Sequence, residues 1–314
     1  MIEFHLKSGI YFFYWHDIST NHDIPKGIQT SPKRFKDEIL YIKNNFNVIG
    51  MNEAISKLKS SVNYKLSMPE AVLCFDDGFR SVLTEAKPLL DKLNFHFVVF
   101  LNSAFLNQTY CSETLLSYYL DNYNKDKVIE VFGRNASKKG LWSLLKKTSC
   151  IEQLEKLQNL VGETLVKKRY YLSWKDLELL SQNSKVVFGN HTIHHLWLAN
   201  LSAEKQLYEI EKNHNSLKFL SNYSNILALP FGSDDCFNSD TENLVRRFSK
   251  GVLMKANGSI NHKIENGLLV IERIALSDNK PSIDIHIKNC LHGLSAFQRL
   301  INKFKNTIKR FLYK

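Results

Sequence analysis

Two histidines in one short segment could bind a metal ion. His191 and His195 are four residues apart within residues 189–195. One turn of helix would direct both imidazole rings to the same side, where Zn²⁺ or a similar divalent ion could bind. Alone, such a pair is more often incidental than a metal site. A carboxylate from another strand end would complete three ligands and leave a position for water, while His194 would point elsewhere as a structural residue.

Two adjacent carboxylates could supply that third ligand. Asp76 and Asp77 follow the apolar run 71–75 and precede Gly78, which permits a tight turn. Neighbouring carboxylates after a buried strand are unfavourable unless a cation or a proton neutralises them. An Asp-Gly turn that caps the next helix is nevertheless the commoner explanation of this pattern.

A third candidate segment is the apolar run 226–230, which leads into Phe231 and Gly232. The ordinary interpretation is a turn with a core aromatic side chain. Next to a metal site, the backbone N–H groups of this turn could instead donate hydrogen bonds to a developing oxyanion.

Apolar runs alternate with helical patterns along the chain. The runs predict strands at residues 10–15, 71–75, 95–101, 186–189, 226–230 and 268–274. The patterns predict helices at residues 32–46, 51–58, 81–93, 173–181 and 202–220. Such alternation is typical of a parallel sheet, open or closed into a barrel, whose active sites gather at the carboxyl ends of the strands. All three candidate segments follow a predicted strand.

The composition is that of a globular protein. Of 314 residues, 44% are hydrophobic, which excludes disorder, collagen and coiled coil as the main architecture. The five scattered cysteines form no CxxC pair, so we expect reduced and mostly buried thiols. We interpret the apolar stretch 9–15 as a strand and not as a signal peptide. The sequence shows no run of about 18 uncharged apolar residues, and we therefore expect a cytoplasmic protein.

The net charge of +11 indicates attraction to an anionic partner. Residues 291–314 predict a basic amphipathic helix, because apolar residues recur there at spacings of three and four among Lys and Arg. This helix could pack on the domain, or it could bind an anionic membrane surface at the inner face. We predict that residues 1–290 form one domain with a helical insertion at about 111–170, where no convincing strand is found.

Together, and in this order, the three candidate segments resemble the motifs of the polysaccharide deacetylase, or NodB-homology, family. The family signatures Phe-Asp-Asp-Gly, His-Ser/Thr-x-x-His and Pro-Tyr/Phe-Gly match residues 75–78, 191–195 and 230–232. The combination is far more specific than any single motif. The resemblance implies an α/β fold, a distorted (β/α) barrel of the NodB-homology type.

The resemblance also implies a metal site. Asp77, His191 and His195 would bind a divalent metal, by default Zn²⁺, although Co²⁺ or Ni²⁺ also suits these ligands. Thr192 would orient the loop that carries the two histidines.

The resemblance implies catalytic roles as well, with two departures from the family pattern. Asp76 would be the general base that takes a proton from the attacking water, and the Phe231 backbone N–H would help to stabilise the oxyanion. Ala228 stands where members often have an Arg that orients the base, so that Arg is absent or comes from elsewhere. The usual Leu-x-His motif, which carries the general acid, is not visible after Ile274.

The N-terminal segment offers a replacement for that acid. Residues 14–18, Tyr-Trp-His-Asp-Ile, resemble the Tyr-His-Asp-Val/Ile opening of the family subset that deacetylates biofilm poly-N-acetylglucosamine. The motifs of that subset look circularly permuted, so an N-terminal strand supplies what other members place late. His16 is therefore the candidate general acid; the alternative is a histidine held in the barrel wall without a catalytic role.

The resemblance implies a metal-dependent N-deacetylase that acts on an N-acetylated amino sugar in a polysaccharide or glycan precursor, as in cell-surface polysaccharide assembly. One alternative is another amide or formamide hydrolase of the same fold. A second is a non-catalytic glycan-binding scaffold, against which the intact set of Asp76, Asp77, His191 and His195 argues. We expect an N-acetylated glycan as partner and no nucleic acid, since no nucleic-acid-binding motif is recognisable.

Overall fold

The computed structural model describes residues 6–20, 24, 27–60, 68–106 and 169–292. The described residues form one sheet of ten strands with helices packed around it. The strands are β1 (Ile10–Trp15), β2 (Asn47–Val48), β3 (Glu70–Phe75), β4 (Phe97–Leu101), β5 (Val186–Asn190), β6 (Tyr223–Ala228), β7 (Val252–Met254), β8 (Lys263–Glu265), β9 (Leu268–Ile271) and β10 (Ile274–Ala275).

Helices connect most of these strands. They are α1 (Pro32–Asn45), α2 (Met51–Lys59), α3 (Lys87–Lys92), α4 (Ser103–Leu106), α5 (Trp174–Ser181), α6 (Ala203–Leu217), α7 (Ser239–Phe248) and α8 (Ile283–Leu291). A π-helical segment, Val82–Ala86, leads directly into α3. Apart from the strand at 268–274, the predicted strands and helices are confirmed with small changes at their ends. The elements that were not predicted are β2, β7, β8, α4, α7 and α8.

The sheet curls into a distorted, incompletely closed barrel, which confirms the predicted fold class. Its strand order is β10-β1-β3-β4-β5-β6-β7-β9-β8, with β2 beside β3, and only the β8–β9 pair is antiparallel. The predicted strand 268–274 is in fact divided, because β9 pairs with β7 and β10 pairs with β1. Glu272 and Arg273 lie between the two halves. One short stretch of chain therefore joins the two sides of the barrel.

His262 strengthens this join. Its Nε2 donates to the Ile10 carbonyl at 2.8 Å, and its Nδ1 accepts from the Glu272 N–H at 3.1 Å. The ring also packs edge-on against Phe12 of β1. The neutral imidazole thus links β1 to the residue that follows β9.

Both faces of the central strands are buried, as expected for parallel strands covered by helices. Alternate residues of β1 face opposite sides: Phe12 and Tyr14 belong to the core inside the barrel, while Phe13 and Trp15 pack against the surrounding helices. Met51, at the start of α2, extends the inner core. The barrel interior is therefore a packed core, and reactive groups are left at its carboxyl end.

Several predictions from the sequence fall largely outside the described residues. Of the predicted insertion at about 111–170 only the last two residues are described, and of the predicted C-terminal helix at 291–314 only the first two. That division of the chain stays a prediction. The three described cysteines, Cys74, Cys236 and Cys290, are buried free thiols, as expected. In the described part of the chain, no helix is long and apolar enough to cross a membrane.

Gly189 of β5 is required by the close approach of Phe100. A methyl group at Gly189 would lie 2.4 Å from the Phe100 ring, which in turn lies near His191 and Arg273. We expect Gly189→Ala to lower the free energy of unfolding by about 1–3 kcal/mol, because the ring must move within a packed core. Urea unfolding measures this change.

Gly27→Ala is the matched control. A methyl group there would meet only the Asn279 side chain, at 3.7 Å. We expect its unfolding free energy to stay within about 0.5 kcal/mol of the wild type. Equal losses in the two variants would contradict the packing argument.

The link made by His262 predicts a dependence of stability on pH. Burial lowers the pKa of His262 below its usual value, and the Ile10 carbonyl and the Glu272 charge oppose this only in part. The contribution to the unfolding free energy is therefore complete above the unfolded-state pKa of about 6.5, and it is lost as the pH falls from there through the folded-state value. Urea unfolding across this range should show the loss.

His262→Gln provides the comparison, because an amide can accept and donate the same two hydrogen bonds without titrating in this range. We expect its unfolding free energy to fall less steeply than that of the wild type below about pH 6.5. Parallel curves for the two proteins would show that His262 does not carry the effect.

Candidate active site

The carboxyl ends of the strands bring the predicted site residues together. Asp76 and Asp77 follow β3, His191 follows β5, and His195 lies four residues farther along the chain. One potential ligand atom from each of Asp77, His191 and His195 lies within 4.8 Å of the other two. All three side chains are buried. The structure thus assembles the three residues predicted to bind metal, although Asp77 is distant in sequence from the two histidines.

The ligand atoms fit a divalent ion. Asp77 Oδ1 lies 3.3 Å from His191 Nε2 and 3.5 Å from His195 Nε2. Among the described residues, neither Asp77 Oδ1 nor His191 Nε2 has a hydrogen-bond partner of good geometry, although both atoms are buried. Buried polar atoms are rarely left in this state, and a bound cation would satisfy both. A carboxylate with two imidazoles is also a donor set that suits zinc.

Histidines hold Asp77 in its charged form. Burial alone would raise the pKa of Asp77, but the nearby His195, His191 and His16 outweigh it and keep that pKa well below its usual range. An ionised carboxylate is the form that binds a metal.

The segment that carries the histidines is a loop, so the expected helical turn was wrong. Residues 191–195 have no helical structure, and Thr192 and His195 have positive φ angles of 63° and 57°. The Thr192 hydroxyl accepts a hydrogen bond from the His195 N–H at 3.1 Å, as its predicted role in orienting the loop requires. His194 binds Glu209 of α6 through Nδ1 at 2.7 Å. Its structural role is confirmed, although it does not lie on a helix.

His191 is oriented by the strand beside it. Its Nδ1 lies 2.8 Å from the carbonyl oxygen of Ala228, at the end of β6. If Nδ1 carries the proton and donates to this carbonyl, Nε2 has a lone pair directed toward Asp77 and can bind a metal. Such a second hydrogen bond fixes the tautomer and the ring orientation of metal-binding histidines.

Buried asparagines that the sequence analysis missed support the loop from below. Asn213 of α6 donates to the Leu101 carbonyl at 2.8 Å and to Asn190 Oδ1 at 2.7 Å. Asn190 Oδ1 also accepts from the Thr192 N–H at 2.9 Å. Asn102 donates to the Thr192 carbonyl at 2.9 Å.

The sequence did contain a signal for the buried position of Asn213. This residue stands on the apolar stripe of α6, three residues after Ile210 and four before Leu217.

Arg273 supplies a guanidinium next to Asp76, in a chain that has Ala228 where family members often have an Arg. It is fully buried, and its Nη1 donates to Asp76 Oδ1 at 2.7 Å. Its guanidinium lies 4.4 Å from the centre of the Tyr14 ring. Burial alone would raise the pKa of Asp76, but the charge of Arg273, with that of His191, keeps it below its usual range. The only sequence signal was a pair of charged residues, Glu272 and Arg273, inside an apolar run.

His16 lies at the end of β1, beside the acid pair. Burial lowers the pKa of His16, and the negative charges of Asp77 and Asp76 act in the opposite direction. Its ring packs edge-on against that of Tyr14, with centroids 5.5 Å apart. The role of His16 as general acid stays a prediction.

Phe231 completes the site on the side of β6. Its backbone is in the left-handed region, with φ of 63°, and its ring lies 4.8 Å from that of His195 and 5.1 Å from that of Trp197. Gly232 packs so closely on the next segment that an added methyl would lie 2.3 Å from Ala256 Cβ. The turn is therefore rigidly placed next to the histidine loop.

The fold is similar to those of several solved proteins. IcaB from Ammonifex degensii gives a TM-score of 0.57 at 14% identity, over 87% of this chain and 94% of that one. A de-N-acetylase from Aggregatibacter actinomycetemcomitans gives 0.57 at 14% identity, over 90% and 99%. The Streptococcus pyogenes deacetylase PplD, solved in complex with acetate, gives 0.52 at 16% identity, over 89% and 96%. At these identities the similarity concerns the fold alone.

Comparison of sequences agrees with the motifs. No curated protein matches the chain significantly. The model of the family described as Polysaccharide deacetylase matches residues 63–249, which is more than half of the 314 residues. The match includes the acid pair, the histidine loop and Phe231, whereas His16 and Arg273 lie outside it. The chain therefore belongs to the polysaccharide deacetylase family.

Proposed function

We propose that this chain is a metal-dependent N-deacetylase, which hydrolyses the acetamide of an N-acetylated amino sugar in a polysaccharide or a glycan precursor. The observation that carries the proposal is that two adjacent buried carboxylates have different partners. Asp77 faces two histidines, and Asp76 is bound by Arg273. Family membership and the similarity in fold to a de-N-acetylase support it.

Asp77, His191 and His195 would hold the divalent ion, most simply Zn²⁺, with Co²⁺ or Ni²⁺ as alternatives. When bound, such an ion would lower the pKa of a water molecule and polarise the acetamide carbonyl. Hydrogen bonds to Asn102, Thr192 and the Ala228 carbonyl hold the loop whose histidines would bind the ion.

Asp76 would act as the general base. Arg273 binds its Oδ1, while Oδ2 lies 4.0 Å from His191 Nε2 and so faces the metal ligands. Because Asp76 stays ionised next to Arg273, its Oδ2 can accept the proton of the attacking water.

Two further groups would act on the tetrahedral intermediate. The Phe231 backbone N–H would donate to the developing oxyanion from the side of β6. His16 would give a proton to the departing nitrogen from the side of β1, because an amide nitrogen is a poor leaving group until it is protonated. Acetate and a free amino sugar are the products.

Product analysis tests the reaction directly. We expect the purified protein to release acetate and expose one amine per acetate from N-acetylated oligosaccharides. Preferential hydrolysis of the N-formylated analogue would instead favour an amide or formamide hydrolase of the same fold. Absence of hydrolysis from every acetylated and formylated amino sugar, by protein that contains metal, would contradict the proposal.

Replacing the base separates chemistry from metal binding. Asp76→Asn keeps the size of the side chain and an acceptor for Arg273, but it cannot take the proton. We expect kcat to fall by a factor of about 10²–10⁴ while the metal content stays at the wild-type level. Elemental analysis and acetate release measure the two quantities on the same sample.

Asp77→Asn is the matched change at the next position. It removes the charged ligand, so we expect both the bound metal and the activity to be lost. The assignment of the two carboxylates would be wrong if Asp76→Asn lost the metal and Asp77→Asn kept it.

The histidine loop allows a second comparison between adjacent residues. His195→Gln removes a proposed ligand, and we expect metal affinity to fall by more than about a hundredfold, a larger loss than supporting residues cause. His194→Gln keeps a donor for Glu209, and we expect nearly full metal binding. Titration with Zn²⁺ measures both affinities, and equal losses would indicate that the loop as a whole is disturbed.

A further inference from the structure

Lys255 is a buried cation that the proposed mechanism does not use. It follows β7, has only 6% of its surface exposed, and its Nζ contacts Glu272 Oε1 at 3.0 Å and the Asp234 carboxylate. Burial alone would lower the pKa of Lys255, but the two carboxylates outweigh it and raise that pKa. A buried ammonium is unfavourable unless it is paired, so these contacts fix its position.

One side of Lys255 is attached to the turn that contains Phe231. Asp234 lies three residues after Phe231 and binds the Lys255 ammonium. The next residue, Ala256, donates its N–H to the Gly232 carbonyl at 2.8 Å. The turn is thus held through a side chain and through the backbone.

The other side of Lys255 is attached to the segment that contains Arg273. The Lys255 N–H donates to the Ile271 carbonyl at 2.8 Å, and the Lys255 carbonyl accepts from Arg273 Nε at 3.1 Å. The Lys255 side chain binds Glu272, the residue between these two. The guanidinium of Arg273, which donates to the Lys255 carbonyl, also donates to Asp76.

We propose that Lys255 is a positioning residue for the reaction, which holds the Phe231 backbone N–H and the Asp76 carboxylate at a fixed separation across the site. The inference rests on the proposed function and deepens it. Lys255 touches no reacting atom, and it acts through Asp234 on one side and through Glu272 and Arg273 on the other. Misplacement of a catalytic group by about 1 Å can cost about a hundredfold in rate, so a fixed separation has kinetic consequences.

Replacing the ammonium tests the link. Lys255→Met keeps the length of the side chain and removes both ion pairs. We expect kcat to fall by about a hundredfold, with full metal content and with KM changed by less than about threefold, because binding of the ground state does not depend on the separation. Lys263→Met is the matched control: Lys263 pairs with Glu265 on an exposed strand, and we expect its kcat to be unchanged.

A second variant protects the test against a failure to fold. The Asp234 side chain is 75% exposed, so Asp234→Asn should fold normally while it replaces the ion pair with Lys255 by, at most, a neutral hydrogen bond. We expect kcat to fall about tenfold, the size of one hydrogen bond to a charged group. Wild-type kcat in both Lys255→Met and Asp234→Asn would overturn the proposal, even if their melting temperatures fall, because only a structural role would then remain.

Amide hydrogen exchange gives an answer that does not depend on activity. We expect faster exchange in residues 229–236 for both variants, and also in residues 271–275 for Lys255→Met, relative to Lys263→Met. Unchanged exchange in these segments would overturn the proposal. If the wild-type protein releases no acetate, the proposed function fails, while the exchange measurement still decides whether Lys255 holds the two segments together.

Discussion

The burial of two adjacent carboxylates is the constraint on which the rest of the site depends. Asp76 and Asp77 are 2% and 4% exposed, and two like charges so placed would take up protons unless cations compensate each of them. The structure compensates them separately. Arg273 neutralises Asp76, and the histidine loop faces Asp77. Removing one partner of such a buried pair leaves a charge that water cannot reach, which is far more unfavourable than losing a surface ion pair.

This constraint is met where the barrel closes irregularly. Strand β9 pairs with β7 and β8, whereas β10 pairs with β1, so the chain changes partners at Glu272 and Arg273. Division of the strand between β7 and β1 places Arg273 where it reaches Asp76 across the interior. The guanidinium then lies over the Tyr14 ring, which offers a face attractive to a cation. The residues at the break in the strand therefore include the partner of Asp76.

The loops at the site show strain of a kind that functional sites often contain. Asp77, Thr192, His195 and Phe231 all have positive φ angles, which are unfavourable for residues other than glycine. Of these residues, Thr192, His195 and Phe231 are held by a hydrogen bond or by close ring packing. Such conformations persist only where the surroundings over-determine them. With these backbone conformations, the side chains of Asp77, His191 and His195 lie close together. The sequence analysis expected a helical turn between the two histidines to bring them together.

The sequence predicts those parts of this molecule that depend on local pattern. Strands β1, β3 and β5 are short apolar runs between helical patterns, and the acid pair and the histidine pair have characteristic spacings. Strand β7 has three residues and β8 is exposed, so neither provides a run long enough to detect. Arg273 and Lys255 could not be assigned either, because their roles depend on which strands become neighbours in the curled sheet. Long-range pairing of charges carries no periodic signal.

The two carboxylates have different partners, although they are chemically identical and adjacent in sequence. Arg273 occupies one oxygen of Asp76 and leaves the other facing the site, so the group remains ionised and able to accept a proton. Asp77 faces imidazole nitrogens, whose own hydrogen bonds, such as that between His191 Nδ1 and the Ala228 carbonyl, fix which atoms can bind a cation. In enzymes generally, different surroundings give neighbouring carboxyl groups different pKa values, and this allows them to take different roles. The family motif specifies the pair of residues, and the curled sheet determines which partners each acid contacts.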